Sequence, residues 1–161
     1  MNVVILGFGG QGKSSLAYWQ KLGADVTVAD SSSELSLPDG VTGKLGTDYL
    51  ENLDQYDQIV RTPIIHPRQI LEANPDSPNI LDKVTSNTNE FFKVCPTKNI
   101  IGVTGTKGKG TTCTLITKML EASGHTAHLI GNIGTPPLEV VDQIKEDDWV
   151  VMELANFQLI D

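Results

Sequence analysis

The residues most able to do chemistry lie in one run, Gly105-Thr106-Lys107-Gly108-Lys109-Gly110-Thr111-Thr112. Glycines at 105, 108 and 110 let a backbone turn tightly and approach an anion closely. A helix that starts here presents unpaired amides and its positive end to the same anion. The run reads as an ATP-phosphate loop. Lys109 would extend along the β- and γ-phosphates, and Thr111 or Thr112 would offer a hydroxyl to the phosphates or to Mg²⁺. The spacing departs from the usual phosphate loop, because Val103 holds the first glycine's position and Gly110 follows the lysine. The competing reading is a glycine-rich turn with a solvated lysine. Glu153, at the end of the mostly apolar run Trp149-Val150-Val151-Met152, supplies a carboxylate where an α/β sheet opens its ligand crevice. It could hold Mg²⁺ directly or through water.

A second glycine loop stands at the other end of the chain. Gly7-Phe8-Gly9-Gly10-Gln11-Gly12 has the Gly-x-Gly-x-x-Gly arrangement between a strand and a helix, and Asp30 ends the next strand. Alone, that pattern predicts NAD or FAD, and with it a nicotinamide-dependent oxidoreductase. A loop for the diphosphate of another nucleotide, and a tight turn with no ligand, are also open at this point. Lys13 either makes the loop friendlier to anions or is simply solvated.

These loops need elements to position them. Val3 to Leu6 is a continuous apolar run, the pattern of a strand covered on both faces. Leu16, Ala17, Trp19 and Leu22 predict a helix that Gly23 ends, and Asp25 to Asp30 a second strand. Weaker strands are expected at Val41 to Leu45 and Asp57 to Arg61, with short helices at Arg68 to Ala73 and Asn87 to Val94. Ile80-Leu81 is too brief to assign. Pro96-Thr97-Lys98 reads as a linker, and a domain boundary is expected at about residues 92–98.

Asn99 to Thr104 then predicts a buried strand, followed by a helix from about Gly110 to Ser123. Leu115, Ile116, Met119 and Leu120 would form its apolar face. Cys113, inside that helix, reads as a small buried thiol. A strand at Thr126 to Ile130, a helix opening at Pro136-Pro137 and running to about Gln143, and a strand at Asp148 to Glu153 complete the pattern. The fold class is α/β: a Rossmann-like N-terminal domain, residues 1–92, then the beginning of a P-loop-type central α/β domain, residues 98–161.

The formal charge of −8 argues against a nucleic-acid partner, which wants a basic surface. No apolar run reaches eighteen residues, so no segment is expected to span a membrane. The first residues lack a basic region and a cleavage site, and read as a strand in a cytoplasmic protein. Cys95 and Cys113 match no metal or redox spacing.

Three runs in order carry a resemblance. Gly102-Val103-Thr104-Gly105-Thr106-Lys107-Gly108-Lys109-Gly110-Thr111-Thr112, Gly131-Asn132-Ile133-Gly134-Thr135-Pro136 and Glu153-Leu154-Ala155-Asn156-Phe157-Gln158-Leu159 resemble motifs of the Mur ligase superfamily. The N-terminal glycine loop and Arg61-Thr62-Pro63 place the resemblance in the branch that adds D-glutamate to UDP-N-acetylmuramoyl-L-alanine in peptidoglycan synthesis. The resemblance implies ATP and Mg²⁺ as cofactors and those two small molecules as substrates. It implies that Gly105 to Thr112 bind ATP, with Lys109 on its β/γ-phosphates. Asn132 and Glu153 would lie at the metal and the transferring phosphate, with Glu153 and Thr111 as metal ligands. Asn156 would approach the sugar nucleotide. Gln11, Gly12, Asp30, Ser31 and Thr62 would lie where the UDP part is held.

Three departures are visible. Gly110 replaces the residue after the lysine, a form shared with folylpolyglutamate synthases of the same superfamily; Thr62-Pro63-Ile64 replaces Ser-Pro-Gly; and Ala155-Asn156 replaces Ser-Ser. The family's downstream histidine, carbamylated lysine and C-terminal domain would follow Asp161. The chain is therefore expected to be a truncated ligase, inactive alone and prone to self-association through an unpaired sheet edge. The other expectation is a non-catalytic nucleotide-binding fragment.

Overall fold

The structure is a computed structural model and describes residues 1–132 and 134–160. Ile133, in the second of the three motifs, and Asp161 lie outside the described residues. The chain divides into two compact units, Met1–Asn87 and Thr88–Asp161.

In the first unit, β1 (Asn2–Leu6), α1 (Gly10–Lys21), β2 (Asp25–Asp30), β3 (Thr42–Leu45), β4 (Gln58–Arg61), α2 (Pro67–Ala73) and β5 (Val84–Ser86) follow in order. The strands form a five-stranded parallel sheet in the order β3-β2-β1-β4-β5. The apolar run of β1 is continuous because both its faces are buried. Val3 and Ile5 pack with Val26, Val28, Leu16 and Trp19 beneath α1. Val4 and Leu6 pack on the other face with Ile59, Leu53, Ile65 and Ile70. Gly23, at φ +77°, ends α1 and donates its N–H to the Gln20 carbonyl at 2.9 Å. At the start of α2, His66 Nδ1 accepts from the Arg68 N–H, Gln69 Oε1 accepts from the His66 N–H, and Pro67 takes the first helical position.

Helix α3 (Asn87–Val94) starts on the last residue of the first unit and runs on into the second, which begins at Thr88. Then come β6 (Ile100–Val103), α4 (Lys109–Ala122), β7 (Ala127–Gly131), α5 (Pro137–Val140) and β8 (Trp149–Glu153). The strands pair in parallel in the order β6-β8-β7. The central strand β8 is the most buried, with Val150, Val151 and Met152 fully covered.

Helix α4 keeps only part of the expected face, with Ile116 and Leu120 half-buried. Leu115 and Met119 are 60% and 61% exposed, and the buried side chains are Cys113 and Thr117. Small residues let the helix approach the sheet closely. Thr117 satisfies its hydroxyl inside the helix by donating to the Cys113 carbonyl at 2.9 Å. A threonine that carries its own acceptor in the preceding turn can face a core, which a hydropathy pattern does not register.

The end of this sheet away from the glycine loop is fastened by Asp148. Its carboxylate takes His128 Nε2 and the Lys145 N–H, both at 2.9 Å, and its carbonyl accepts from Thr97 Oγ1 at 2.7 Å. One residue thus joins β7, β8 and the segment that enters β6. No helix among the described residues is long and apolar enough to cross a membrane.

Candidate functional site

In the second unit, parallel pairing brings the three motifs to one edge. Val103 and Gly131 are both in register with Glu153, so β6, β7 and β8 end side by side. The glycine loop leaves β6 at Thr104, the asparagine turn leaves β7 at Gly131, and the glutamate closes β8. The Asn132 N–H donates to the Glu153 carbonyl at 3.0 Å, and the Leu154 N–H to the Val103 carbonyl at 2.9 Å. Gly131 has φ +113°, and a Cβ there would stand 2.3 Å from the Glu153 carbonyl oxygen. Only glycine permits β7 and β8 to end this close together.

Gly105 and Gly108 both have positive φ, at +144° and +76°. Gly108 is the N-cap of α4, and no side chain caps the helix there. The first-turn amides therefore point out of the helix without a side-chain partner, as an anion site requires. Lys109 is the first helical residue, and its Nζ donates back to the Gly105 carbonyl at 2.9 Å, bridging the loop. A phosphate oxygen is a stronger acceptor than this exposed carbonyl and could replace it. Beside the loop is a hollow of about 580 Å³, lined among others by Thr106, Lys109, Asn132, Asn156 and Phe157.

Glu153 lies beside Asn132 and is 2% exposed. Asn132 Nδ2 donates to Glu153 Oε1 at 3.3 Å, and Glu153 Oε2 is buried with no hydrogen-bond partner among the described residues. A buried acceptor left without a donor is costly. A divalent cation is the partner that such an oxygen fits. Mg²⁺ commonly takes one or two carboxylates and fills its octahedron with phosphate and water. Among the described residues there is no cluster of three or more His, Cys, Asp or Glu, so a metal here would rely on that pattern.

Thr111 stands apart. It is exposed and lines a second hollow on the outer side of α4 with Thr114, Leu115 and Lys118. With Gly110 after the lysine, the first threonine comes one position later around the helix, which turns it away from the side that holds Lys109. Lys107 and Thr112 are exposed at the loop and on the first turns of α4. Cys113 is fully buried; its thiol pKa is raised by burial and then by the Glu153 charge.

The sequence did not single out the short 3₁₀ helix Asn156–Leu159, whose Asn156, Phe157 and Leu159 wall the first hollow. Buried Gln158 holds it in place: its Oε1 accepts from the Ala155 N–H at 2.8 Å, and its Nε2 reaches Thr88 Oγ1 at 3.4 Å. A glutamine three residues after Ala155 was the available signal.

In the first unit, Gly7 takes φ +85°, and a Cβ on Gly12 would meet the Gly7 carbonyl oxygen at 2.1 Å. The turn and the close helix approach both require glycine, as the motif predicts. Asp30 holds the loop with both oxygens: Oδ2 accepts from the Phe8 N–H at 2.8 Å and Oδ1 from the Ser32 N–H at 3.0 Å. The neighbouring Tyr49 phenol keeps its proton to higher pH than usual, through burial and the Asp30 charge. Thr62 is buried under Gly7 and donates to the Leu6 carbonyl at 2.8 Å. Ile64 beyond it is 82% exposed.

Gln11 has a buried Oε1 with no hydrogen-bond partner among the described residues, and Ser31 is exposed. Asn87 fastens the start of α1, with Nδ2 reaching Ser14 Oγ at 3.2 Å, Ser15 Oγ at 3.0 Å and the Gln11 carbonyl at 3.4 Å. Sequence could not mark that role, because its partners lie more than seventy residues away.

Two strand–glycine-loop–helix units, with a lysine loop, an asparagine turn and a buried glutamate in order on the second, define the class that the chain resembles: over 98% of its length it is similar to ligases of the Mur superfamily. No family model matches it. Its relatives are UDP-N-acetylmuramoylalanine–D-glutamate ligases. It is 38% identical over 172 aligned positions to that of Ruminiclostridium cellulolyticum, covering 98% of this chain and 35% of the relative. It is 39% identical over 168 positions to that of Clostridium botulinum strain Hall, covering 98% and 36%. It is 38% identical over 167 positions to that of Acetivibrio thermocellus, covering 98% and 35%. The chain thus spans about a third of the length of these relatives. Among solved structures, a murein peptide ligase Mpl from Psychrobacter arcticus 273-4 is similar, at 22% identity and a TM-score of 0.49 over 98% of this chain and 39% of that one.

Proposed function

We propose that this chain is the nucleotide-binding portion of a cytoplasmic ligase that joins D-glutamate to UDP-N-acetylmuramoyl-L-alanine in peptidoglycan synthesis. Its first unit takes the UDP part and its second takes Mg²⁺–ATP. The observation that carries the reading is the meeting of the Lys109 loop, Asn132 and the half-satisfied Glu153 at one sheet edge. ATP, when bound, supplies the phosphoryl group that makes a carboxylate an acyl donor. The amides of Gly105 to Thr112 and the Lys109 ammonium hold and neutralise the phosphates. Glu153 holds Mg²⁺, with Asn132 fixing its other oxygen, and Asn156 faces the incoming carboxylate. Thr111 serves the metal only through a change in the first turn of α4.

The 161 residues by themselves bind nucleotides without forming the amide bond. Calorimetry with Mg²⁺–ATP tests the second unit. The unaltered chain binds, and Lys109→Met weakens binding at least about tenfold, the loss of a charge-assisted contact. No binding by the unaltered chain would sink the site. For the activity, a complete ligase carrying this chain releases phosphate only when UDP-N-acetylmuramoyl-L-alanine, ATP, Mg²⁺ and D-glutamate are all present. Phosphate release with a folate acceptor would move it to the folylpolyglutamate synthase branch. Tight NAD binding that is abolished by altering Gly9 would instead favour a nicotinamide role for the first unit. The exposed Leu115 and Met119 and the edge position of β6 support self-association of the isolated chain, which light scattering across a concentration series measures.

A further inference from the structure

We infer that Lys13 is the cation that neutralises the diphosphate in the first unit, moving onto it from a resting place over the Phe8 ring. The inference rests on the proposed binding of the UDP part to this unit. The unit offers several other cations, each of them placed elsewhere. Lys44 donates to the Glu51 carbonyl on an edge strand, and Lys83 to the Asp54 and Tyr56 carbonyls. Arg68 is paired with Glu72, Arg61 is buried with Nη1 on the Ile65 carbonyl, and Lys21 belongs to the last turn of α1, at the far end from the glycine loop. His66 uses Nδ1 to cap α2.

Lys13 differs from all of these. It is exposed, it sits in the first turn of α1, and its Nζ lies 5.9 Å from the centre of the Phe8 ring. Among the described residues it has no carboxylate within ion-pair distance.

Its direction also fits. Side chains on a helix lean toward the N-terminus, and Lys13, which lines a hollow with Phe8, Leu16 and Leu37, can swing from there toward the turn from Phe8 to Gly10. That turn is where the uncapped amides of α1 open, and Gly9 and Gly10 have open space around the position a side chain would fill. The first turn of α1 carries no acidic residue to repel an anion. Phe8 is buried but the Lys13 side chain is exposed, and a solvated ammonium 5.9 Å from a ring centre is weakly held, whereas a diphosphate at a helix N-terminus offers a charge-assisted contact. The lysine needs only side-chain rotation to make the exchange. Phe8 itself stays fixed, since Asp30 holds its N–H.

The test compares UDP with uridine on the intact 161-residue chain, using Lys13→Met and Lys13→Arg. Lys13→Met is expected to weaken UDP about tenfold and to leave uridine within about twofold, while Lys13→Arg keeps most of the UDP affinity. Equal UDP binding by Lys13→Met and the unaltered chain would overturn the role of Lys13 and leave the site standing. An equal loss for UDP and uridine would overturn it too, since that marks a structural role. If the unaltered chain binds neither, the assignment of the UDP part to this unit fails and Lys13 loses its role with it.

Discussion

Glu153 keeps one carboxylate oxygen on Asn132 and leaves the other buried without a donor among the described residues. A folded chain that carries such a group unaided pays its desolvation. Replacing it by glutamine keeps the shape and removes the charge. Glu153→Gln is therefore expected to melt at the same temperature as the unaltered chain or higher, while Mg²⁺-dependent ATP binding falls at least about tenfold; calorimetry in the presence and absence of Mg²⁺ reads both. Asp148 presents the opposite case. The hydrogen bond from His128, then that from the Lys145 N–H, holds its pKa below the ordinary carboxylate value. A depressed carboxylate contributes stability that is complete above its unfolded pKa, about 3.9, and is lost as pH falls through the lower folded value. The melting temperature should thus fall with acid below about pH 4 more steeply in the unaltered chain than in Asp148→Asn, which has already lost that contribution. Parallel curves for the two would remove Asp148 from the acid response.

At the scale of elements, the close ending of β7 against β8 depends on Gly131. Gly131→Ala combines a positive φ with a 2.3 Å collision against backbone, and is expected to destabilise the second unit by about 2–4 kcal/mol, read by denaturant unfolding. The elements divide sharply into those the residues announce and those they do not. β1 and β8 are legible because burial on both faces leaves unbroken apolar runs ended by glycine or an acid, and β2 because Val26, Val28 and Ala29 are buried just before Asp30. The Lys109 loop is legible because its chemistry is local: glycines for the turn, a lysine, then a helix. β5 is not, since three residues show no period and two of them, Thr85 and Ser86, are polar though buried. The inner face of α4 was partly misread because hydropathy gives Leu115 and Met119 more weight than Cys113 and Thr117. The same limit hides Asn87, Gln158 and the loop-holding use of Asp30, which depend on partners brought near only by folding.

At the scale of the whole chain, two units each own a parallel sheet, a glycine loop and a core. If each takes its own nucleotide, each is stabilised by its own ligand through mass action. UDP is expected to raise the melting of the first unit and Mg²⁺–ATP that of the second, by about 2.7 kcal/mol at a hundred times the dissociation constant. Hydrogen exchange resolved by mass spectrometry separates the two, because protection should rise within 1–87 for one ligand and within 88–160 for the other. Protection that rises everywhere with either ligand would mean that the units unfold as one.

The sealed sulfur of Cys113 gives this chain a built-in clock. A fully covered thiol whose proton is held tightly meets an alkylating reagent only during the moments when α4 lifts from its sheet. The pace of its modification, resolved from that of Cys95 by peptide mapping, therefore counts those excursions. A nucleotide seated at the head of the helix would slow the count without ever touching the sulfur.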